Sequence, residues 1–202
     1  MSIATIVFDF GNVVGWFSHR QAAEQLGVFG NASPEEIVTH LFSGALEDDY
    51  ESGRISSDAY IEQVCRTFAL TCSPKEFALA YSDMFTPNDA VCSLLPRLKS
   101  GYRLLLLSNT TELHSRHFIA QFAEHMKWFD HLVLSHEIGV RKPQPGIYEH
   151  CRKLVGCRAD ECVFIDDVAA NVAGAKACGW HGIVYRRGDD LAGQLARLGV
   201  IV

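Results

Sequence analysis

The chain reads as an α/β protein, a parallel sheet with helices on both faces, interrupted after its first strand by an all-helical insertion. Apolar strand-like runs recur at about residues 3–8, 103–107, 131–134, 162–165 and 182–185. From residue 86 onward these runs alternate with helical stretches, the pattern of strand-crossover-strand units packed into a parallel sheet. Residues 16–85 carry helix signals and no convincing strand.

The first strand, Ile6-Val7-Phe8, ends in Asp9 and the small-residue turn Phe10-Gly11-Asn12-Val13-Val14. In the insertion, Ser18 opens a helix over 19–26 that Gly27 ends. Ser33-Pro34-Glu35-Glu36 and Ser73-Pro74-Lys75-Glu76 each spell a Ser-x-x-Glu capping box. A further helix over 58–68 follows the turn-rich Glu51-Ser52-Gly53-Arg54. After the insertion, Thr86-Pro87 with Asp89 predicts a helix over 90–99 with Pro at its first position and Gly101 as its stop. Helices over 113–126, 147–155, 169–178 and 191–198 complete the set. The expected division is a core domain of residues 1–15 and 86–202 with a cap domain of residues 16–85. An insertion beside the active face of a sheet acts as a lid that excludes water.

At 202 residues, 48% hydrophobic and 21% charged, the chain is long enough for one core plus this insertion and is not disordered. A net charge of −6, with no Lys/Arg cluster longer than two, speaks against a nucleic-acid partner. The first apolar run is too short for a signal peptide or a membrane span, so no membrane partner is expected and the reading is cytosolic. Seven cysteines, scattered and without a Cys-x-x-Cys pair, suit free thiols in a reducing compartment.

Three strand ends carry polar groups. The first is Asp9. The second follows Leu104-Leu105-Leu106-Leu107 as Ser108-Asn109-Thr110. The third follows Cys162-Val163-Phe164-Ile165 as Asp166-Asp167. A basic loop, Gly139-Val140-Arg141-Lys142-Pro143, lies between the last two. In open parallel sheets ligands bind at the carboxyl ends of the strands, so neighbouring strands would bring all of these groups to one spot. Each piece alone has a plainer reading. Asp167 could cap the helix near Ala169, Ser108-Asn109-Thr110 makes a good turn, and Lys142 could be a solvated loop lysine. His114 and His117, three apart on a helix, have no accompanying Cys or carboxylate at zinc-like spacing and read as surface or core residues. Trp16 and Phe17 either line a pocket or pack the insertion to the core.

Taken in order, Asp9-Phe10-Gly11-Asn12-Val13-Val14, Ser108-Asn109, Arg141-Lys142-Pro143 and Asp166-Asp167 with Asn171 resemble the four motifs of the haloacid dehalogenase-like hydrolases. The resemblance spans essentially the whole chain. It implies a Rossmann-like core with a helical cap. The opening motif and the Leu-Ser-Asn-Thr segment are closer to a bacterial sugar-phosphatase branch that acts on glucose 1-phosphate. The reaction so implied is Mg²⁺-dependent hydrolysis of a small phosphorylated substrate through an aspartyl phosphate. Asp9 would be the nucleophile. Mg²⁺ would be held by Asp9, the Gly11 carbonyl and one carboxylate of the Asp166-Asp167 pair. The resemblance favours Asp167 as that ligand, with Asp166 supporting it or reaching Lys142. Lys142, Ser108 and Asn109 would bind the phosphoryl oxygens.

The chain departs from the family at Gly11. Most of its phosphatases carry there a second aspartate that protonates the leaving group, help worth roughly 10²–10⁴-fold. Three readings follow: a phosphatase for esters with a good leaving group, such as a sugar 1-phosphate; a 2-haloacid dehalogenase, which needs no such acid but also no acidic metal pair; or a binding module with little turnover. His19, Glu51 or Arg54 of the insertion are candidate replacements for the missing proton donor.

Overall fold

The computed structural model of the chain describes residues 2–42 and 44–202. Strand β1 (Thr5–Phe8) is followed by a short β2 (Gly15–Phe17) and five helices: α1 (His19–Gly27), α2 (Pro34–Leu41), α3 (Ala45–Glu51), α4 (Ser57–Phe68) and α5 (Pro74–Ser82). Then come β3 (Phe85–Pro87), α6 (Asp89–Cys92), α7 (Leu95–Lys99) and β4 (Arg103–Ser108). Helices α8 (Glu112–Gln121) and α9 (Ala123–Met126) lead to β5 (His131–Leu134), α10 (Ser135–Ile138) and α11 (Pro145–Val155). The chain closes through β6 (Cys162–Asp166), α12 (Ala169–Ala177), β7 (His181–Val184) and α13 (Leu191–Ala196).

The main sheet has five parallel strands in the order β5-β4-β1-β6-β7. β1 lies at its centre, with Phe8 beside Leu106 on one neighbour and Ile165 on the other. Side chains alternate across a strand, and both faces are covered, so the strands read as unbroken apolar runs. Ile6, Phe8, Leu104, Leu106, Val163 and Ile165 enter one core with α6–α9 and α13. Val7, Leu105, Leu107 and Phe164 enter another with α11 and Trp180. Helices α1–α5 gather a third cluster around Ala23, Leu26, Ile37, Tyr50, Tyr60, Phe77 and Tyr81. Both expected capping boxes form, at Ser33 and Ser73.

Several local expectations change. Residues 15–17 and 85–87 pair antiparallel as a ribbon through which the chain leaves and re-enters the sheet region. Pro87 is therefore a strand residue and not the first helical position, and α6 begins at Asp89, one residue before the expected start. The run over 90–99 breaks into α6 and α7, with Pro96 in the first turn of the second. Proline lacks the N–H that a continuing helix needs. The run over 113–126 breaks at Phe122, whose φ/ψ of −100°/22° is not helical. Helices α3 and α10 were not anticipated. All seven cysteines are free thiols. Among the described residues no helix is long and apolar enough to cross a membrane.

Candidate active site

The backbone of Asp9 is anchored where β1 ends, its N–H donating to Ile165 O at 2.8 Å. The residue is 7% exposed, and Oδ1 accepts from the Phe10 N–H at 2.8 Å. Lys142 reaches the same oxygen, with Nζ 2.6 Å from Asp9 Oδ1 and 2.7 Å from Asp166 Oδ2. Among the described residues no donor reaches Asp9 Oδ2. The loop lysine predicted from sequence is thus fully buried, bridging two carboxylates.

Asp166 is completely buried. Besides Lys142 it accepts from the Val168 N–H at 2.7 Å and from Asn171 Nδ2 at 3.1 and 3.2 Å. Tyr148 fixes that segment by donating from its hydroxyl to Asn171 O at 2.7 Å. Asp167, half-buried, accepts from Asn12 Nδ2 at 2.9 Å. It does not cap α12, which has no side-chain cap. One oxygen each of Asp9, Asp166 and Asp167 lie within 4.8 Å of one another. Burial, with Asp166 and Asp167 adding to it against Lys142, pushes the Asp9 carboxyl up to about 8. Burial works against the Lys142 charge, but Asp9 and Asp166 together raise its pKa.

The Ser108 hydroxyl, at the end of β4, is buried and has only a long contact to Asn109 O, at 3.4 Å. The Asn109 side chain is occupied differently from the expectation that it faces a substrate. Nδ2 donates to Lys142 O at 3.0 Å and Oδ1 accepts from the Lys142 N–H at 2.8 Å. It clamps the lysine's backbone. Sequence reasoning missed this role and that of Asn12, whose φ of 54° lies in the left-handed region that Asn tolerates better than most residues. The Asn in the motif was the available signal.

Beside these groups lies a small cavity of about 80 Å³, lined by Gly11, Phe17, Phe85, Ser108, Asn109, His19 and two acids of α3, Glu47 and Glu51. Phe17 lines it, whereas Trp16 carries Arg187 over its ring at 4.8 Å. The proton-donor candidates are otherwise engaged. His19 stacks on Phe42 at 4.0 Å, and burial lowers its pKa to about 4. Glu51 is 2.6 Å from Arg141 Nη2, and Arg54 pairs with Asp49 on the surface. Arg141 also binds Asp48, so the residue preceding Lys142 ties α3 down. Ser135 Oγ adds a bond to Glu51 O at 2.6 Å. His114 is buried against Tyr81, and His117 lies 3.7 Å from Asp83.

In sequence and in fold the chain is similar to known proteins. Over 199 residues the chain is 25% identical to the D-ribitol-5-phosphate phosphatase of Bacteroides thetaiotaomicron, covering 96% of this chain and 97% of that one. A HAD-like family hydrolase from Porphyromonas gingivalis superposes with a TM-score of 0.86 at 25% identity over all of both chains. A HAD family enzyme of B. thetaiotaomicron, crystallised with magnesium and inorganic phosphate, superposes at 0.84 with 21% identity, over 96% of this chain and 99% of that one. Residues 3–179 match the family description as well. The motif order, the five-stranded parallel sheet and these matches agree: the chain belongs to the haloacid dehalogenase-like hydrolases.

Proposed function

We propose that the protein is a Mg²⁺-dependent phosphatase that hydrolyses a small phosphomonoester through an aspartyl phosphate on Asp9. The observation that carries this reading is the buried Lys142 ammonium held between Asp9 and Asp166, with Asp167 beside them. Three clustered carboxylates against one lysine leave excess negative charge, and Asp166 and Asp167 add to the burial that chiefly raises the Asp9 pKa. Carboxylate oxygens at this spacing fit a hard divalent cation such as Mg²⁺. Asp9, Asp167 and the Gly11 carbonyl would hold it. Asp166, whose oxygens are taken by Lys142, Val168 and Asn171, supports the set from behind. When bound, the cation offsets the repulsion between an anionic phosphoryl group and an anionic nucleophile.

The chain's own residues then act as follows. Asp9 attacks phosphorus, and its O–P bond forms as the bond to the leaving oxygen breaks. Lys142 and the Ser108 hydroxyl stabilise charge on the phosphoryl oxygens. Asn109 holds Lys142 in place and offers its backbone to the same oxygens. Water then cleaves the aspartyl phosphate and returns Asp9. Helices α1–α5, within residues 16–85, form the cap and close the cavity against solvent.

A cavity of about 80 Å³, with polar and aromatic walls, suits a compact hydroxylated leaving group. A sugar phosphate such as glucose 1-phosphate fits that description, and the similar protein from B. thetaiotaomicron is named for a polyol phosphate. The free thiols suit a cytosolic setting.

The test is phosphate release from a panel of sugar 1-phosphates, sugar 6-phosphates and polyol phosphates, with Mg²⁺ and with EDTA, for the native protein and Asp9→Asn. Release that needs both Mg²⁺ and Asp9 supports the reading. No release from any ester overturns it, and halide release from 2-haloacids would then point to the dehalogenase alternative.

A further inference from the structure

Gly11 raises the question of how the leaving group is protonated. It bears no side chain, and Cε1 of Phe17 lies 3.0 Å from where a Cβ would stand. No acid comes from the loop after β1. The same cavity is lined by four other titratable side chains: His19 from α1, Glu47 and Glu51 from α3, and His114 from α8. Three of them are occupied. His19 is sandwiched between the Phe17 and Phe42 rings. His114 Nε2 donates to Tyr81 O at 3.2 Å, and Glu51 is bound to Arg141. Glu47 has neither a hydrogen bond nor an ion pair among the described residues; His19 also has neither, but its ring is stacked against Phe17 and Phe42 and burial keeps it neutral, without a proton to give.

We propose that Glu47 is the proton donor to the leaving-group oxygen. The inference rests on the phosphatase reading above and deepens it. As Asp9 attacks phosphorus, the electron pair of the breaking P–O bond goes to the leaving oxygen, which takes the Glu47 proton and departs as an alcohol. In the second half-reaction water attacks phosphorus and gives a proton to the Glu47 carboxylate. The bond between phosphorus and Asp9 breaks, and phosphate, the Asp9 carboxylate and the Glu47 carboxylic acid result. With a donor in place the enzyme does not depend on a good leaving group, so the substrate class extends to primary phosphates of sugars and polyols.

The environment supports the protonated form at neutral pH. Burial, with Glu51 and Asp48 adding and Arg141 opposing, pushes Glu47 up to about 8. The groups that face it from other elements are His19 and His114 across the cavity and the Tyr60 and Tyr81 hydroxyls, which feel its charge. None of these is an anion at neutral pH, since burial raises both tyrosines further.

The test compares kcat/KM for p-nitrophenyl phosphate, whose leaving group needs no proton, with that for glycerol phosphate, whose leaving group does. Glu47→Gln is expected to lose roughly 10²–10⁴-fold on glycerol phosphate and at least about tenfold less on p-nitrophenyl phosphate. Equal losses on both esters, or none, overturn the proposal, as does the same ester dependence in Glu51→Gln. Should Glu47→Gln not fold, the native protein decides. Its kcat/KM across a series of esters is expected to depend weakly on leaving-group basicity at pH 6.5 and steeply at pH 9.5. The same slope at both pH values refutes the role. If the native protein releases no phosphate in an Asp9-dependent way, the phosphatase reading fails instead, so the two failures are distinct.

Discussion

Replacing Lys142 with Met keeps the length of the stem and removes the ammonium. The Lys142 side chain is 1% exposed and Asp166 is 0% exposed, so water does not take the place of the lost cation. Asp166 keeps the Val168 N–H and the Asn171 amide but loses its counter-charge. Breaking one side of a buried pair typically costs about 3–5 kcal/mol, and the two surviving donors place this case near the lower figure. For a domain of this size about 3 kcal/mol corresponds to a Tm about 6–12 °C lower. The assay is thermal unfolding followed by circular dichroism, with phosphate release measured on the same samples. Adding Asp166→Asn to Lys142→Met removes one of the two carboxylates that lose their counter-charge, Asp9 being the other, and should recover part of the lost Tm, while kcat/KM stays at least about 10²-fold below native. A Tm within about 2 °C of native for the single variant, or a further drop in the double variant, would refute the assignment of Lys142 as the counter-charge of this site.

Gly53→Ala should lower stability by about 1–3 kcal/mol and reduce kcat/KM, because φ there is +66° and a Cβ would overlap the carbonyl oxygen of His136; urea unfolding and steady-state kinetics check this. His114 should make the protein acid-sensitive. Burial lowers its pKa from 6.5 to about 3, so between those pH values the unfolded state holds a proton that the folded state lacks, and stability present above pH 6.5 is lost as the pH falls. Urea midpoints at pH 7 and pH 5 should differ less in His114→Gln than in the native protein; an unchanged difference would contradict this.

Much of this molecule is legible in its amino acids because the sheet is buried on both faces. Leu104 to Leu107 and Cys162 to Ile165 are unbroken apolar runs of the kind a covered parallel sheet produces, and each ends in polar groups of the candidate site. The same logic located Asp9, Lys142, Ser108 and the Asp166-Asp167 pair. What escaped was decided by tertiary contact. Residues 15–17 and 85–87 are too short to signal strands and pair only because the chain returns to its point of exit. Helix α3, Ala-Leu-Glu-Asp-Asp-Tyr-Glu, has too few apolar positions to declare a face, and contacts to Ser135 and Arg141 hold it. Asn109 could not be told from a substrate ligand, since its bonds to Lys142 join residues 33 positions apart. Glu47 carried no motif. It stands out only once Glu51, His19 and His114 are seen to be occupied.

In the proposed reaction Asp9 carries the phosphoryl group between the two half-reactions. We would mix the native protein and Asp9→Asn with a radiolabelled phosphomonoester and Mg²⁺, quench in acid within the first turnover, and map the label by peptide. The expected result is a hydroxylamine-labile phosphate on the peptide containing Asp9 in the native protein, and no label in the variant. Phosphate release without label at Asp9, or undiminished release by Asp9→Asn, would contradict it.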